Sequence, residues 1–142
     1  MWQVKDFSQL STYELFQIYK LRTQVFVVEQ GCPYPEVDEE DLRCIHAMYY
    51  DGTKLEAYFR LIPQVDGVHL GRVVVDPSQR RKGLGKIIVE KAIEVCHERF
   101  PEEILHAQAQ AYLKDFYESF GFVPVSKVYL EDNIPHLDMI LR

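Results

Sequence analysis

The chain is poor in the features that mark secreted, membrane-spanning or nucleic-acid-coating proteins. Its three cysteines, Cys32, Cys44 and Cys96, are an odd number without a secretory context, which points to reduced thiols in the cytoplasm rather than a disulfide framework. The opening stretch MWQVKDFSQL lacks the basic and apolar regions of a signal peptide. No apolar run approaches the length that spans a bilayer, so a cytoplasmic location and no membrane partner are expected. Positive charge is scarce as well: 16 Lys and Arg against 22 Asp and Glu leave a formal net charge of -6. That balance argues against nucleic acid as a partner, which needs a basic face, and suits a small cationic one. Repeats, low-complexity tracts and long linkers are all missing. A length of 142 residues, 47% hydrophobic and 27% charged, suits one soluble globular domain over 1–142 with a sizeable core.

What is present alternates between strand and helix patterns. Trp2 to Phe7 reads as a short opening strand. Ser11 and Glu14 form a capping box with Leu10 and Leu15 as a hydrophobic staple. Leu15, Ile18, Tyr19, Arg22, Val25 and Phe26 then continue at helical spacing until Gly31 and the Pro33/Pro35 pair forbid it, so the helix should fade near Glu29. A loop with five carboxylates follows (Glu36, Asp38, Glu39, Glu40 and Asp41). CIHAMYY, LEAYFRLI and VHLGRVVV, joined by DGTK and QVDG, predict an antiparallel meander of three strands. From Leu84 an amphipathic helix runs to Pro101, with Leu84, Ile87, Ile88, Ala92, Val95 and Cys96 on one face. ILHAQAQ predicts a central strand and AYLKDFYESF a compact helix stopped by Gly121. FVPVSKVYL and HLDMILR predict two last strands. The order is β-α-βββ-α-β-α-ββ, an α/β (α+β) fold with helices packed on one mixed sheet.

The unusual junction is GRVVVDPSQRRKGLGKI, where a valine strand runs into basic residues and two glycines before a helix. Helix starts expose orphan N–H groups and the positive end of the dipole, which together bind phosphate. Gly83 and Gly85 allow close backbone approach, while Arg80, Arg81, Lys82 and Lys86 can add charge-assisted bonds. A pyrophosphate-bearing ligand is expected. It is not a Walker A loop, because Arg80 stands where the first glycine belongs and Ile87 follows Lys86. Nor is it a dinucleotide loop, since Ile88 replaces the third glycine.

What remains, Arg80-x-x-Gly83-x-Gly85, resembles the coenzyme A pyrophosphate loop of the GNAT superfamily of N-acetyltransferases. QAYLKDFYESFGF, Gln110 to Phe122, resembles that superfamily's following helix. LRTQVFVVEQGCPYPEVDEEDL, GRVVVDPSQRRKGLG, AQAYLKDFYESFGF and YLEDNIPHLDM together look like its small ElaA-like bacterial subgroup. The resemblance implies a GNAT-type, mostly antiparallel mixed sheet flanked by helices. It also implies acetyl-coenzyme A as acyl donor, an amine of a small molecule or protein as acceptor, and direct attack without a covalent enzyme intermediate. By residue match, Val73, Val74 and Val75 would pair with the pantetheine arm. The segment Arg80, Arg81, Lys82, Gly83, Leu84, Gly85 and Lys86 would hold the diphosphate. Tyr117 would protonate the departing thiolate, the phenol being neutral at physiological pH. Gln110 stands where the family usually has Asn and would reach the cofactor from a longer arm.

The acceptor side is open. Many relatives place a Glu on the strand before the loop, and this sequence has His69, Gly71, Arg72 and valines there. Glu29, His46, His136 or a water chain could instead take the amine's proton. The acidic loop is either a solvated face or a recruiter of cations. Asp41, Cys44 and His46 lack the second ligand pair of a zinc site, so no metal is expected, and Cys32 has no evident His partner as a nucleophile. A non-catalytic acyl-coenzyme A sensor on the same fold is the alternative function. A homodimer is left open.

Overall fold

Period-two alternation of side chains places Trp2–Asp6 (β1), Ile45–Asp51 (β2), Lys54–Gln64 (β3) and Gly67–Val75 (β4) in one antiparallel meander. These elements are taken from a computed structural model, which describes residues 1–31, 34–80 and 82–142. Arg81 and Cys32, both singled out above, lie outside the described residues. Leu105–Gln110 (β5) adds parallel to β4; with Val123–Pro124 (β6), Tyr129–Glu131 (β7) and Ile134–Leu141 (β8), the sheet order is β1-β2-β3-β4-β5-β8-β6 with β7 on β8. The expected mixed, mostly antiparallel sheet flanked by helices is what forms.

The C-terminal third differs from the expected two strands. FVPVSKVYL divides into Val123–Pro124 (β6) and Tyr129–Glu131 (β7), both paired with Ile134–Leu141 (β8). The order is therefore β-α-βββ-α-β-α-βββ. Pro124 has no N–H to continue a ladder, and Ser126 Oγ takes the Asp138 N–H at 2.8 Å in place of a strand partner. β8 also starts earlier than expected, because Asp132 and Asn133 adopt φ of 51° and 63° and make a tight hairpin turn.

Helices cover both faces. Thr12–Arg22 (α1) opens on the expected capping box: Ser11 Oγ accepts from Glu14 N at 3.0 Å and Ser11 N donates to Glu14 Oε1 at 2.8 Å. Past Arg22 the expected α-helix widens into a π-helical turn, Thr23–Glu29. This wider turn carries Phe26 and ends at Gln30, and both line the cleft described below. Leu84–Arg99 (α2) buries Leu84, Ile88, Val89, Ala92, Val95 and Cys96 on one face. Lys114–Glu118 (α3) is shorter than expected, because Ala111–Leu113 before it is a 3-10 turn.

Two cores result. Phe59, Leu61, Ile88, Val89, Phe122 and Met139 fill the α2 side, each worth roughly 1.5–3 kcal/mol when removed from water. Ile18, Leu21, Val25, Met48, Tyr58 and Val74 fill the α1 side. No helix among the described residues is long and apolar enough to cross a membrane.

Candidate active site

β4 and β5 pair only at Val68↔Leu105, His69↔His106 and Leu70↔Ala107. Beyond Leu70 the strands part, and a cleft of about 590 Å³ opens between them. Leu70, Gly71, Arg72 and Val73 line one wall, Ala107, Gln108 and Gln110 the other, and Tyr117 and His136 also reach it. The edge of β4 facing the cleft thus carries main-chain groups that no neighbouring strand takes up.

A bulge shapes that edge. Tyr58 pairs with Val74 and Arg60 with Gly71, so Arg72 and Val73 together oppose Phe59 alone. Arg72 sits at φ 49°, a left-handed conformation that costs a side-chain-bearing residue about 1–2 kcal/mol. Its guanidinium holds it there: Nε donates to Glu36 Oε2 at 2.9 Å and Nη2 to Asp38 Oδ2 at 3.4 Å, over the Tyr34 ring at 5.5 Å.

Glu36 and Asp38 belong to the acidic loop, and the structure corrects the reading of that loop as a solvated face or cation recruiter. Glu36 and Asp41 are buried and consumed by arginines from the sheet and helix. Arg22, fully buried, donates through Nε to Glu36 Oε2 at 2.9 Å and through Nη1 to Asp41 Oδ1 at 2.7 Å. Arg60 Nη1 donates to Asp38 Oδ1 at 2.7 Å and to Asp41 Oδ1 at 2.9 Å. Three arginines thus meet three carboxylates. The hydrogen bond from Arg60 holds the Asp38 carboxyl below its usual range. For Asp41, burial alone would raise the value, and the bonds and charges of Arg22 and Arg60 bring it net downward.

The glycine junction is built differently. Asp76 accepts from Ser78 N at 2.9 Å and starts a 3-10 turn, Pro77–Gln79. Gly83, the N-cap of α2, has φ 74° and no side chain with which to cap the first N–H groups of the helix. A Cβ at Gly83 would meet nothing within 4 Å; the glycine is there for its backbone conformation. Lys82, Gly85 and Lys86 are exposed around this end. Arg80, 45% exposed, pairs with Glu29 Oε1 at 2.6 Å, and Lys82 Nζ donates to Gln79 Oε1 at 2.7 Å. The Leu84 side chain is buried in the α2 core, so only its main chain faces this side.

Of the residues singled out from the sequence, Val73, Gln110 and Tyr117 come together in the cleft. Val74 turns into the α1-side core, and Val75 packs on the α2 side. Arg80 and Lys82 to Lys86 are not among the residues lining the cleft and follow the end of β4. Tyr117 is 8% exposed and sits edge-to-face against Phe116 and Phe122, each at 5.5 Å. Burial pushes its phenol pKa up, so it stays protonated. Lys114 is occupied with Glu118 at 3.3 Å.

His46 is removed from the list of candidate bases. It is fully buried. Its Nε2–H donates to the Asp41 carbonyl at 2.9 Å, and its Nδ1 therefore accepts from Tyr58 Oη at 2.6 Å. Burial lowers its pKa and keeps it neutral. Asp41, Cys44 and His46 do converge, but these bonds engage both ring nitrogens and the Asp41 carboxylate. Burial also pushes the Cys44 thiol up to about 12. A second convergence, Asp66, His69 and His106, stacks its two imidazoles in parallel planes 4.3 Å apart, so one ion cannot lie in both ring planes.

A parted parallel pair, a bulged inner strand and a glycine turn at a helix start are features this chain shares with known proteins. The family of the acetyltransferase (GNAT) domain matches residues 22–142. The chain belongs to the GNAT acetyltransferase family. A UPF0039 protein of Schizosaccharomyces pombe is 48% identical, over 97% of this chain and 94% of its own. Protein ElaA of Escherichia coli is 39% identical over 97% and 94%, and its crystal structure superposes with a TM-score of 0.94 over 100% and 99%. An acyl-CoA N-acyltransferase from Pseudomonas aeruginosa, 41% identical, superposes with a TM-score of 0.95 over 99% and 97%.

Several cleft residues of this GNAT chain escaped sequence reasoning: Phe26, Gln30, Tyr34, Gln108, Glu131 and Asp132. One signal for the buried network was legible. Arg22 falls on the apolar face of its helix, and Arg60 and Arg72 interrupt apolar strands. An arginine on a core face requires a carboxylate, and the five-carboxylate loop lies next in the chain.

Proposed function

We propose that the protein is an N-acetyltransferase that moves the acetyl group of acetyl-coenzyme A onto a primary amine. The observation that carries this reading is the unpaired edge of β4 past Leu70, which runs between the uncapped start of α2 and the buried hydroxyl-bearing ring of Tyr117. The residues fit the donor. Uncapped N–H groups of α2 with Lys82 and Lys86 suit a diphosphate. Arg80 would exchange Glu29 for it, giving up an exposed pair worth at most about 1 kcal/mol. The edge of Val73 to Val75 suits the amide-bearing arm, and Gln110 offers a side-chain amide across the gap.

The donor supplies a thioester whose carbonyl the amine attacks. A main-chain N–H of the Arg72–Val73 bulge is held ready for the developing oxyanion by the Arg72–Glu36 contact. Tyr117, kept neutral by burial, supplies the proton that the leaving thiolate takes. At the mouth, Glu131 and Asp132 have no ion-pair partner among the described residues, which favours a cationic acceptor.

The test is thiol release from acetyl-coenzyme A across agmatine, tyramine and a lysine-containing peptide, with Tyr117→Phe beside the parent. We expect turnover with at least one amine, a fall in kcat of about 100-fold in the variant, and unchanged coenzyme A binding by calorimetry. Binding without turnover on any amine would make the protein a sensor; no coenzyme A binding would end the reading.

A further inference from the structure

Resting on that reading, we propose that His136 is the general base that takes the proton of the attacking amine through its Nε2. The other two side chains that could do so are engaged elsewhere. Glu29 is not among the residues lining the cleft and lies beside Arg80, and both nitrogens of His46 are consumed inside the fold.

His136 has the opposite arrangement. Its Nδ1 lies 2.7 Å from the carbonyl oxygen of Ile134. A carbonyl only accepts, so Nδ1 carries the hydrogen and the lone pair of the neutral ring sits on Nε2. Nε2 takes no hydrogen bond among the described residues, and the half-buried ring lines the cleft. Tyr129, opposite it on β7, stacks on the ring at 6.5 Å and 24° and limits its rotation. An imidazole oriented by a carbonyl at one nitrogen, its other nitrogen without a partner among the described residues and its ring lining a cavity, is the arrangement a base requires.

Strand alternation places it on the correct side. Leu137 and Met139 of β8, with Ala107 and Ala109 of β5, point into the α2-side core that also holds Tyr117. His136 and its cross-strand partner Gln110 therefore project from the other face. Acid and base flank the gap between β4 and β5 from opposite sides of the sheet, so the thiol leaves on one face while the amine enters on the other.

The proton balance is complete. The amine nitrogen forms a bond to the acetyl carbon, and its proton passes to His136 Nε2. The carbon–sulfur bond breaks, and the sulfur takes the Tyr117 hydroxyl proton. Imidazolium then releases its proton and phenolate regains one through solvent, so an ammonium acceptor yields amide, free thiol and one proton. The titratable and charged groups around His136 are Tyr129 and Glu131 on β7, Asp132 in the turn, Asp138 on β8, and Tyr34, Arg72, Tyr112 and Tyr117 across the cleft. Tyr129 is occupied as a donor to Asp138 at 2.5 Å, and Arg72 by Glu36 and Asp38.

The experiment compares the parent with His136→Gln and His136→Ala, using acetyl-coenzyme A and the best amine of the panel, over a range of pH. We expect kcat to fall about 100-fold in both variants, with coenzyme A binding within about threefold of the parent. The histidine step of the kcat/KM profile should disappear, leaving only the limb set by the acceptor's own ammonium, and added imidazole should restore at least about tenfold to His136→Ala alone. Parental kcat in His136→Gln overturns the proposal. So does a loss of kcat with an unchanged pH profile and no imidazole rescue, which marks a structural role. A parent that binds coenzyme A but releases no thiol with any amine instead overturns the transferase reading, and this proposal with it.

Discussion

Two groups of arginines in this chain have opposite fates. Arg22, Arg60 and Arg72 meet Glu36, Asp38 and Asp41 under the acidic loop, where Arg22, Arg60, Glu36 and Asp41 are buried, Arg72 and Asp38 are half-buried, and nearly every donor has an acceptor. Arg80, with Lys82 and Lys86, stands in solvent around an uncapped helix start, held by single exposed contacts. The first group is spent on structure: it fixes the loop on the sheet and the bulge of β4 in its left-handed turn. The second, under the proposed function, is what meets the diphosphate of the donor. Charge of one sign therefore indicates little until its partners are counted.

The largest effect expected from breaking this contrast is at Arg22. Arg22→Ala leaves Glu36 and Asp41 buried without their main partner and should cost about 3–5 kcal/mol in urea unfolding. Arg80→Ala should cost no more than about 1 kcal/mol. Equal losses at the two sites would remove the distinction.

Next is ligand binding. Arg80→Glu with Lys82→Glu should weaken coenzyme A binding by about 100-fold or more, since a hydrogen bond to a charged group is worth about 1.5–3 kcal/mol. The melting temperature of the free protein should stay within about 2 °C, because these pairs are exposed. Parental affinity in that variant would break the assignment of the loop.

The smallest effect is in the pH dependence of stability. His46 has a folded pKa below its ordinary 6.5, so the unfolded chain binds the proton more readily. Stability should thus begin to fall as pH drops below about 6.5, and His46→Gln should flatten that window. Asp38 and Asp41 have folded values below their ordinary 3.8. Their contribution is present above that value and is lost as pH falls through the lowered folded values. Equilibrium unfolding at a series of pH values separates the two windows.

Much of the fold was legible in the residues. The capping box at Ser11, the meander of β2 to β4, the amphipathic face of α2 and the Gly83 turn all depend on neighbours close in sequence. The split of β6 from β7 was missed because Pro124 ends a ladder only once its partner strand is known. His46 and His136 look alike as isolated histidines. They differ because β2 turns one ring beneath the acidic loop while β8 turns the other into the gap that β4 and β5 leave.

The alternation of strands and helices, the glycine turn before α2 and the family likeness follow from the residues alone, because periodicity, backbone freedom and capping are local. Which arginines are buried, which imidazole keeps an available lone pair, and where the sheet opens follow only from the folded arrangement. Those depend on which distant groups meet, and on how far each is removed from water.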